Sequence, residues 1–300
     1  MCEFRWNPFR SSLVSPSELH SALSNGSSSP RRIVPVAAGR ESALKAYEAK
    51  HIPGSVFFNV DQIRDTESPY PFMLPSPTHF SVCMTELGLR ADDILVIYDT
   101  IETEFYFSPR VAWICRHFGH GDVHVLNNFP QYVDQGYEVL EGHQPEGLVA
   151  GERYPVQNPP VSKDVIEFDE LHQLLSADKT QDQTCNSYQI LDSRPESQFS
   201  GMDSGAITGH MPTALNIPLS SLLGSDKRLL PAPQLKELFQ EKGVHETMPV
   251  ILTCNSGTTA TSLGLALGAC GYHMEKRLYD GSWFEWREKA TKEEGLIVVD

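Results

Sequence analysis

An α/β protein built from two copies of one parallel-sheet domain is the fold class that the sequence predicts, on three observations. Short apolar, β-branched runs alternate with stretches of helical spacing, which is the pattern of parallel sheets covered by helices. The 300 residues suffice for two domains of ordinary size. The pattern also runs twice. H-I-P-G-S-V-F-F from His51 is echoed by H-M-P-T-A-L-N-I from His210. The strand ending at Asp99 is echoed by one ending at Cys254, and V-H-V-L-N-N-F from Val123 by E-K-R-L-Y-D-G-S-W from Glu275. Three correspondences in order, at a nearly constant offset, indicate a duplicated unit. The predicted division is 1–141, a linker over 142–164 rich in Gly, Pro, Gln and Val, and 165–300.

In chain order, the spacing predicts a helix over Leu13–Leu23, with Ser15 as N-cap and Pro16 at its first position. Asn25–Pro30 reads as a loop, Ile33–Ala37 as a strand and Glu41–Ala49 as helix. A turn at Pro53-Gly54 leads into a strand. Thr66–Pro77 carries four prolines and reads as irregular chain. Thr78–Leu87 is a helix stopped by Gly88, Asp93–Asp99 a buried strand, Pro109–Phe118 a helix and Val123–Leu126 a strand. In the second half, Phe168–Ser176 reads as helix, Gln189–Asp192 as strand, Gln198–Gly209 as loop, Pro233–Lys242 as helix, Pro249–Thr253 as strand and Leu278–Asp280 as the last strand.

Composition narrows the function. Hydrophobic content of 40% and charged content of 21% describe an ordinary globular protein. A formal net charge of −15 argues against a general affinity for nucleic acid or an anionic membrane. No apolar run approaches the roughly 18–20 residues of a membrane span. The six cysteines, Cys2, Cys83, Cys115, Cys185, Cys254 and Cys270, show no C-x-x-C spacing, so a zinc ribbon or thioredoxin motif is disfavoured and no metal is expected. They are too sparse for a disulfide scaffold, which points to a reducing compartment. The expected location is the cytoplasm. The start M-C-E-F-R-W-N-P-F-R-S-S, with two arginines and one acid, offers a mitochondrial alternative.

The stretch P-V-I-L-T-C-N-S-G-T-T-A-T (residues 249–261) carries the chemistry. A buried strand stops at Cys254, Gly257 follows, and a helical Ala/Leu/Gly run begins at Thr258, so that Leu263, Leu267 and Cys270 can share a face. A strand–loop–helix turn of this kind turns backbone N–H groups inward and adds the positive end of a helix dipole. Both stabilise a thiolate, the nucleophilic form of cysteine. The local pattern fits a buried packing cysteine equally well. The corresponding position of the first half is Asp99, so only the second copy could hold a nucleophile.

The motifs H-I-P-G-S-V-F-F-N-V-D, S-P-Y-P-F-M-L-P, S-P-R-V-A-W, L-D-S-R, G-H-M-P-T-A-L-N-I-P, C-N-S-G-T-T-A-T and L-Y-D-G-S-W-F-E-W together resemble the tandem rhodanese-domain sulfurtransferases. That family holds thiosulfate sulfurtransferase, 3-mercaptopyruvate sulfurtransferase and the eukaryotic enzymes that feed tRNA thiolation. The resemblance implies two rhodanese-like domains, the N-terminal one non-catalytic. It also implies no cofactor, and a Cys254 persulfide that takes sulfur from a small donor and passes it to a thiol, cyanide or a carrier protein. The partners it implies are that donor and acceptor, with no nucleic acid or membrane, in a monomer or weak dimer. The neutral loop C-N-S-G is similar to the C-G-S-G of mercaptopyruvate enzymes rather than the cationic C-R-K-G of thiosulfate enzymes.

By the same resemblance, Asp61 and Ser256 match two members of an Asp–His–Ser relay whose histidine position is Phe72 here; His79 is the nearest substitute. Asn255, Gly257, Thr258 and Thr259 are expected to bind substrate or persulfide through their backbone N–H groups. Gln198 stands where the family carries a donor-binding arginine, and Arg194 of the D-S-R motif is a further candidate for the donor, though it pairs structurally in many relatives. His51 and His210 read as turn hydrogen-bonders, Trp283 and Trp286 as core or cleft wall, Arg110 as structural, and the remaining cysteines as packing residues. A cysteine phosphatase shares the loop design but needs an arginine closing C-x5-R; residue 260 is Ala. The competing reading is a non-catalytic or partner-loaded sulfur-carrier module of the same fold.

Overall fold

Five short strands pair in parallel in the first half and five more in the second, and both sheets have the same order. In a computed structural model that describes residues 6–25, 30–103, 105–142, 153–159, 164–177, 188–203 and 208–300, the first sheet holds β1 (Leu13–Val14), β2 (Ile33–Gly39), β3 (Val56–Asn59), β4 (Ile94–Asp99) and β5 (Val123–Leu126) in the order β1-β5-β4-β2-β3. The second holds β6 (Val165–Ile166), β7 (Gln189–Asp192), β8 (Leu215–Asn216), β9 (Val250–Thr253) and β10 (Lys276–Tyr279) in the order β6-β10-β9-β7-β8. Every pairing between these ten strands is parallel. The central strands are buried on both faces, which is why β4 and β9 read as unbroken apolar runs rather than alternating ones.

Helices α1 (Pro16–Ser24), α2 (Leu44–Ala49), α3 (Pro77–Glu86), α4 (Ser108–His117) and α5 (Phe129–Asp134) belong to the first half. Helices α6 (Phe168–Ala177), α7 (Glu196–Ser200), α8 (Ala232–Glu241), α9 (Ala260–Ala269) and α10 (Ser282–Lys289) belong to the second. The chain divides into two units. One is Met1–Thr66 with Leu74–Pro159; the other is Glu67–Met73 with Pro160–Asp300. The proline-rich stretch thus lends Glu67–Met73 to the second unit, where Lys289 of α10 lies 5.9 Å from the ring of Tyr70. Phe72 sits on this segment with a left-handed backbone, φ 62°.

Most expected elements stand where the sequence put them. Ser15 caps α1 in a capping box with Glu18, and Pro16 opens the helix. Gly88 follows α3 at φ 66°. Three expectations need correction. Leu13 lies in β1, not in the first helix, because a two-residue edge strand is too short to show a period. The stretch from Gln198 is not all loop: Gln198 stands in the middle of α7, a five-residue helix after Pro195. Tyr154, in the stretch read as linker, is buried; its carbonyl accepts from Ser81 Oγ and its hydroxyl meets His120 Nδ1 at 2.7 Å. Cys2, Cys185, most of the Asn25–Pro30 loop and most of the 142–164 linker lie outside the described residues.

The two histidines of the repeated motif do the same work. His51 pairs with Leu140, and its Nδ1 meets the Tyr47 carbonyl at 3.0 Å. His210 pairs with Val298, and its Nδ1 meets the Phe199 carbonyl at 3.0 Å. Each also stacks on an aromatic ring, Tyr47 and Phe199 respectively. They are turn residues, as expected.

Candidate active site

The β9–α9 loop places Cys254 immediately after the buried strand Val250–Thr253 and six residues before α9 begins at Ala260. The strand sets this position. Ile251 and Leu252 pair with Arg277 and Leu278 on one side and with Ile190 and Leu191 on the other. Cys254 is 2% exposed. Gly257 turns the loop back at φ 71°, a conformation that a Cβ would strain. Leu263 and Leu267 of the expected face are buried in α9, whereas Cys270 lies just past its end and is half-buried.

Around the thiol the loop is lined by hydroxyls and amides and holds no charged side chain of its own. Ser256 Oγ lies 3.3 Å from Thr258 Oγ1, and Ser193 Oγ lies 2.7 Å from Thr259 Oγ1. Asn255 Nδ2 donates to Gln198 Oε1 at 3.0 Å. So five of the predicted positions, Asn255, Ser256, Thr258, Thr259 and Gln198, are gathered beside Cys254 by the loop itself and by α7.

The other predicted positions have different surroundings. The N–H of Gly257, expected to face the sulfur, donates to Ser282 Oγ at 3.0 Å. Arg194 is 1% exposed and gripped by Asp192: Nε lies 2.9 Å and Nη2 2.6 Å from Oδ2, and Nη2 also reaches the Gly209 carbonyl at 2.8 Å. Its guanidinium lies 4.2 Å from the Trp283 ring. These contacts give Arg194 a packing task. Asp61 belongs to the first unit, where its carboxylate accepts from Arg40 Nε at 3.0 Å and from the Glu41 backbone N–H at 3.0 Å. His79 Nε2 meets the Gln62 carbonyl at 2.8 Å.

In the first unit the corresponding strand end carries a carboxylate. Asp99 is buried at the end of β4 and accepts from the backbone N–H groups of Phe107 (2.6 Å) and Ser108 (3.1 Å) and from Ser108 Oγ (2.5 Å). Burial pushes its carboxyl above the usual range, while the bonds from Ser108 and Phe107 pull the other way. A fixed carboxylate thus closes the start of α4, at the place where the second copy offers a thiol.

One contributor escaped the sequence reading. Ser282, the first residue of α10, is buried and accepts from the Cys254 N–H at 3.2 Å. Its only sequence signal was membership of the G-S-W-F-E-W run, which drew attention to the tryptophans.

A model described as a rhodanese-like domain matches residues 167–289. The chain is 35% identical to the thiosulfate sulfurtransferase of Gallus gallus over 253 residues, covering 83% of this chain and 82% of that one. It is 34% identical to the 3-mercaptopyruvate sulfurtransferase of Rattus norvegicus over 260 residues, covering 85% and 82%. Among solved structures, the Tum1 protein from Saccharomyces cerevisiae superposes with a TM-score of 0.81 at 28% identity, covering 96% of this chain and 97% of that one.

Proposed function

The chain belongs to the tandem-domain sulfurtransferases of the rhodanese family, and from this premise we propose that it carries sulfur as a persulfide on Cys254 and prefers 3-mercaptopyruvate to thiosulfate as donor. The observation that carries the preference is the uncharged cradle. The loop offers hydroxyls and amides, and the position where relatives hold a cation is Gln198, bonded to Asn255. Holding a dianion such as thiosulfate in a buried site without a cation is costly. A donor with one carboxylate loses less.

In the first half-reaction the Cys254 thiolate attacks the outer sulfur of the donor. With 3-mercaptopyruvate the C–S bond breaks, its electron pair stays on carbon, and protonation of that enolate gives pyruvate. With thiosulfate the S–S bond breaks and sulfite leaves with the pair. Cys254 then bears a terminal sulfur with a negative charge. The helix α9 dipole and the hydroxyls of Ser256, Thr258 and Thr259 surround it with dipoles already in place. In the second half-reaction a thiolate or cyanide attacks that terminal sulfur, the S–S bond breaks, and the Cys254 thiolate is restored. The two half-reactions give ping-pong kinetics. Asp61 and Ser256 are assigned to this site through the resemblance alone.

Intact-mass spectrometry after incubation with each donor tests the proposal, with Cys254→Ser as control. The expected result is a gain of one sulfur atom that requires Cys254 and accumulates faster with 3-mercaptopyruvate. Equal or faster loading by thiosulfate would remove the donor preference. No gain from either donor, followed by loading from a persulfide-bearing cysteine desulfurase, would favour the partner-loaded carrier instead.

A further inference from the structure

We infer that Ser282 is a positioning residue for sulfur transfer: its hydroxyl fixes the curl of the Cys254 loop and is the partner that the nucleophile requires within this fold. The inference rests on Cys254 being the sulfur carrier.

Ser282 Oγ uses its full hydrogen-bonding capacity on two segments. It accepts from the N–H of Cys254 (3.2 Å) and from the N–H of Gly257 (3.0 Å), and it donates to the Tyr279 carbonyl (2.7 Å). A hydroxyl has two lone pairs and one proton, so nothing is left over for acid–base work. The role is geometric. One atom ties the two ends of the Cys254–Gly257 turn to the end of β10. The next two residues of α10 extend the tie, since the N–H groups of Trp283 and Phe284 donate to the carbonyls of Cys254 (2.9 Å) and Asn255 (3.0 Å). Ser282 holds its place with a left-handed backbone, φ 50°. A non-glycine residue pays for that conformation.

The duplicated unit supplies an internal control. Ile97 pairs with Val125 in the first sheet and Leu252 with Leu278 in the second. Two residues beyond Ile97 is Asp99, and two beyond Leu252 is Cys254. Four residues beyond Val125 is Phe129, the first residue of α5, and four beyond Leu278 is Ser282, the first residue of α10. The copy with the thiol has the hydroxyl. The copy with Asp99 has a buried phenylalanine, and its Asp99 draws its donors from the start of α4.

The test uses the full chain with Ser282→Gly and Ser282→Ala. Glycine removes the hydroxyl and also relieves the strain at φ 50°, so the Gly variant is the one expected to stay folded; near-UV circular dichroism verifies this. Steady-state kinetics with cyanide as acceptor should show kcat falling on the order of 100-fold, the scale of a nucleophile displaced by about 1 Å. KM should stay nearly constant and the loss should be equal for both donors. The rate of Cys254 alkylation by iodoacetamide at fixed pH should fall in the folded Gly variant as well. That readout needs no donor, so it separates failure of this inference from failure of the persulfide assignment. A folded Gly variant with wild-type kcat and wild-type alkylation rate would overturn the inference, and so would a loss confined to KM.

Discussion

Replacing Arg194 by leucine separates a packing arginine from a donor-binding one. Both roles can be argued from the D-S-R motif. The structure favours packing. Arg194 and Asp192 are 1% and 2% exposed and 2.6 Å apart at Nη2 and Oδ2. Nε adds two contacts to the same carboxylate, at 3.1 and 2.9 Å. In Arg194→Leu, Asp192 keeps the backbone N–H of residue 194 on Oδ1 but loses the guanidinium from both oxygens. Removing one partner of a buried pair costs about 3–5 kcal/mol. Loss of the donor to the Gly209 carbonyl adds about 1 kcal/mol. At about 2–4 °C per kcal/mol for a domain of this size, the second unit should melt on the order of 10 °C lower. Differential scanning calorimetry measures this. Donor KM, taken well below the transition, should be unchanged. Adding Asp192→Leu should recover much of the loss, because an apolar pair replaces an ion pair at little cost. The opposing case has one observation behind it: Arg194 Nη1 is buried with no hydrogen-bond partner among the described residues. If Arg194→Leu melts like wild type while KM for 3-mercaptopyruvate rises tenfold or more, that spare N–H serves the donor and the packing argument is wrong.

Two further outcomes concern Gln198 of α7 and Cys115 of α4. Gln198→Arg places a cation beside Asn255 and should raise kcat/KM for thiosulfate relative to 3-mercaptopyruvate, on the order of tenfold for one partly desolvated charge contact; an unchanged ratio in donor-competition assays would mean that α7 does not select donors. Cys115 is fully buried, and burial pushes its thiol up to about 12. It should therefore resist alkylation in the folded protein at pH 8 and react only on unfolding, as peptide mapping would show. The sign for stability follows. The folded state keeps a proton that the unfolded chain releases near 9.0, so this thiol's contribution to stability is complete below that pH and is lost as pH rises toward 12. Cys115→Ala should lessen the decline in urea midpoint over that range.

The strands and the turn that carries Cys254 were legible because their signals are local. Pro249–Thr253 is apolar since β9 is covered on both faces, and Gly257 is needed at a left-handed turn; each shows in a few adjacent letters. Residues that work at a distance were harder to see. Ser282 lies 28 positions from Cys254, and the bond joining them follows from the neighbouring β9 and β10, which strand order alone does not fix. Arg194 posed the reverse difficulty. Its motif marks it as special, but an arginine that grips a carboxylate two residues back and one that grips a substrate are written with the same letters. Gln198 lay in a stretch read as loop because a five-residue helix is too short to show a period. The edge strands β1 and β6, of two residues each, failed to show for the same reason.

The two copies share a framework and differ at the strand ends that carry Asp99 and Cys254. Strand order and register are the same in both sheets, and the histidine turns are interchangeable. These features build the sheet and its connections. The chemical difference lies at the ends of two adjacent strands. The Cys254 loop is held by contacts that do not involve the sulfur: the hydroxyl of Ser282 and the N–H groups of α10 tie it through backbone atoms. A carboxylate such as Asp99 organises its own donors and needs no such tie. A single Asp99→Cys change should therefore leave a buried thiol without a fixed cradle, because Phe129 offers no hydroxyl.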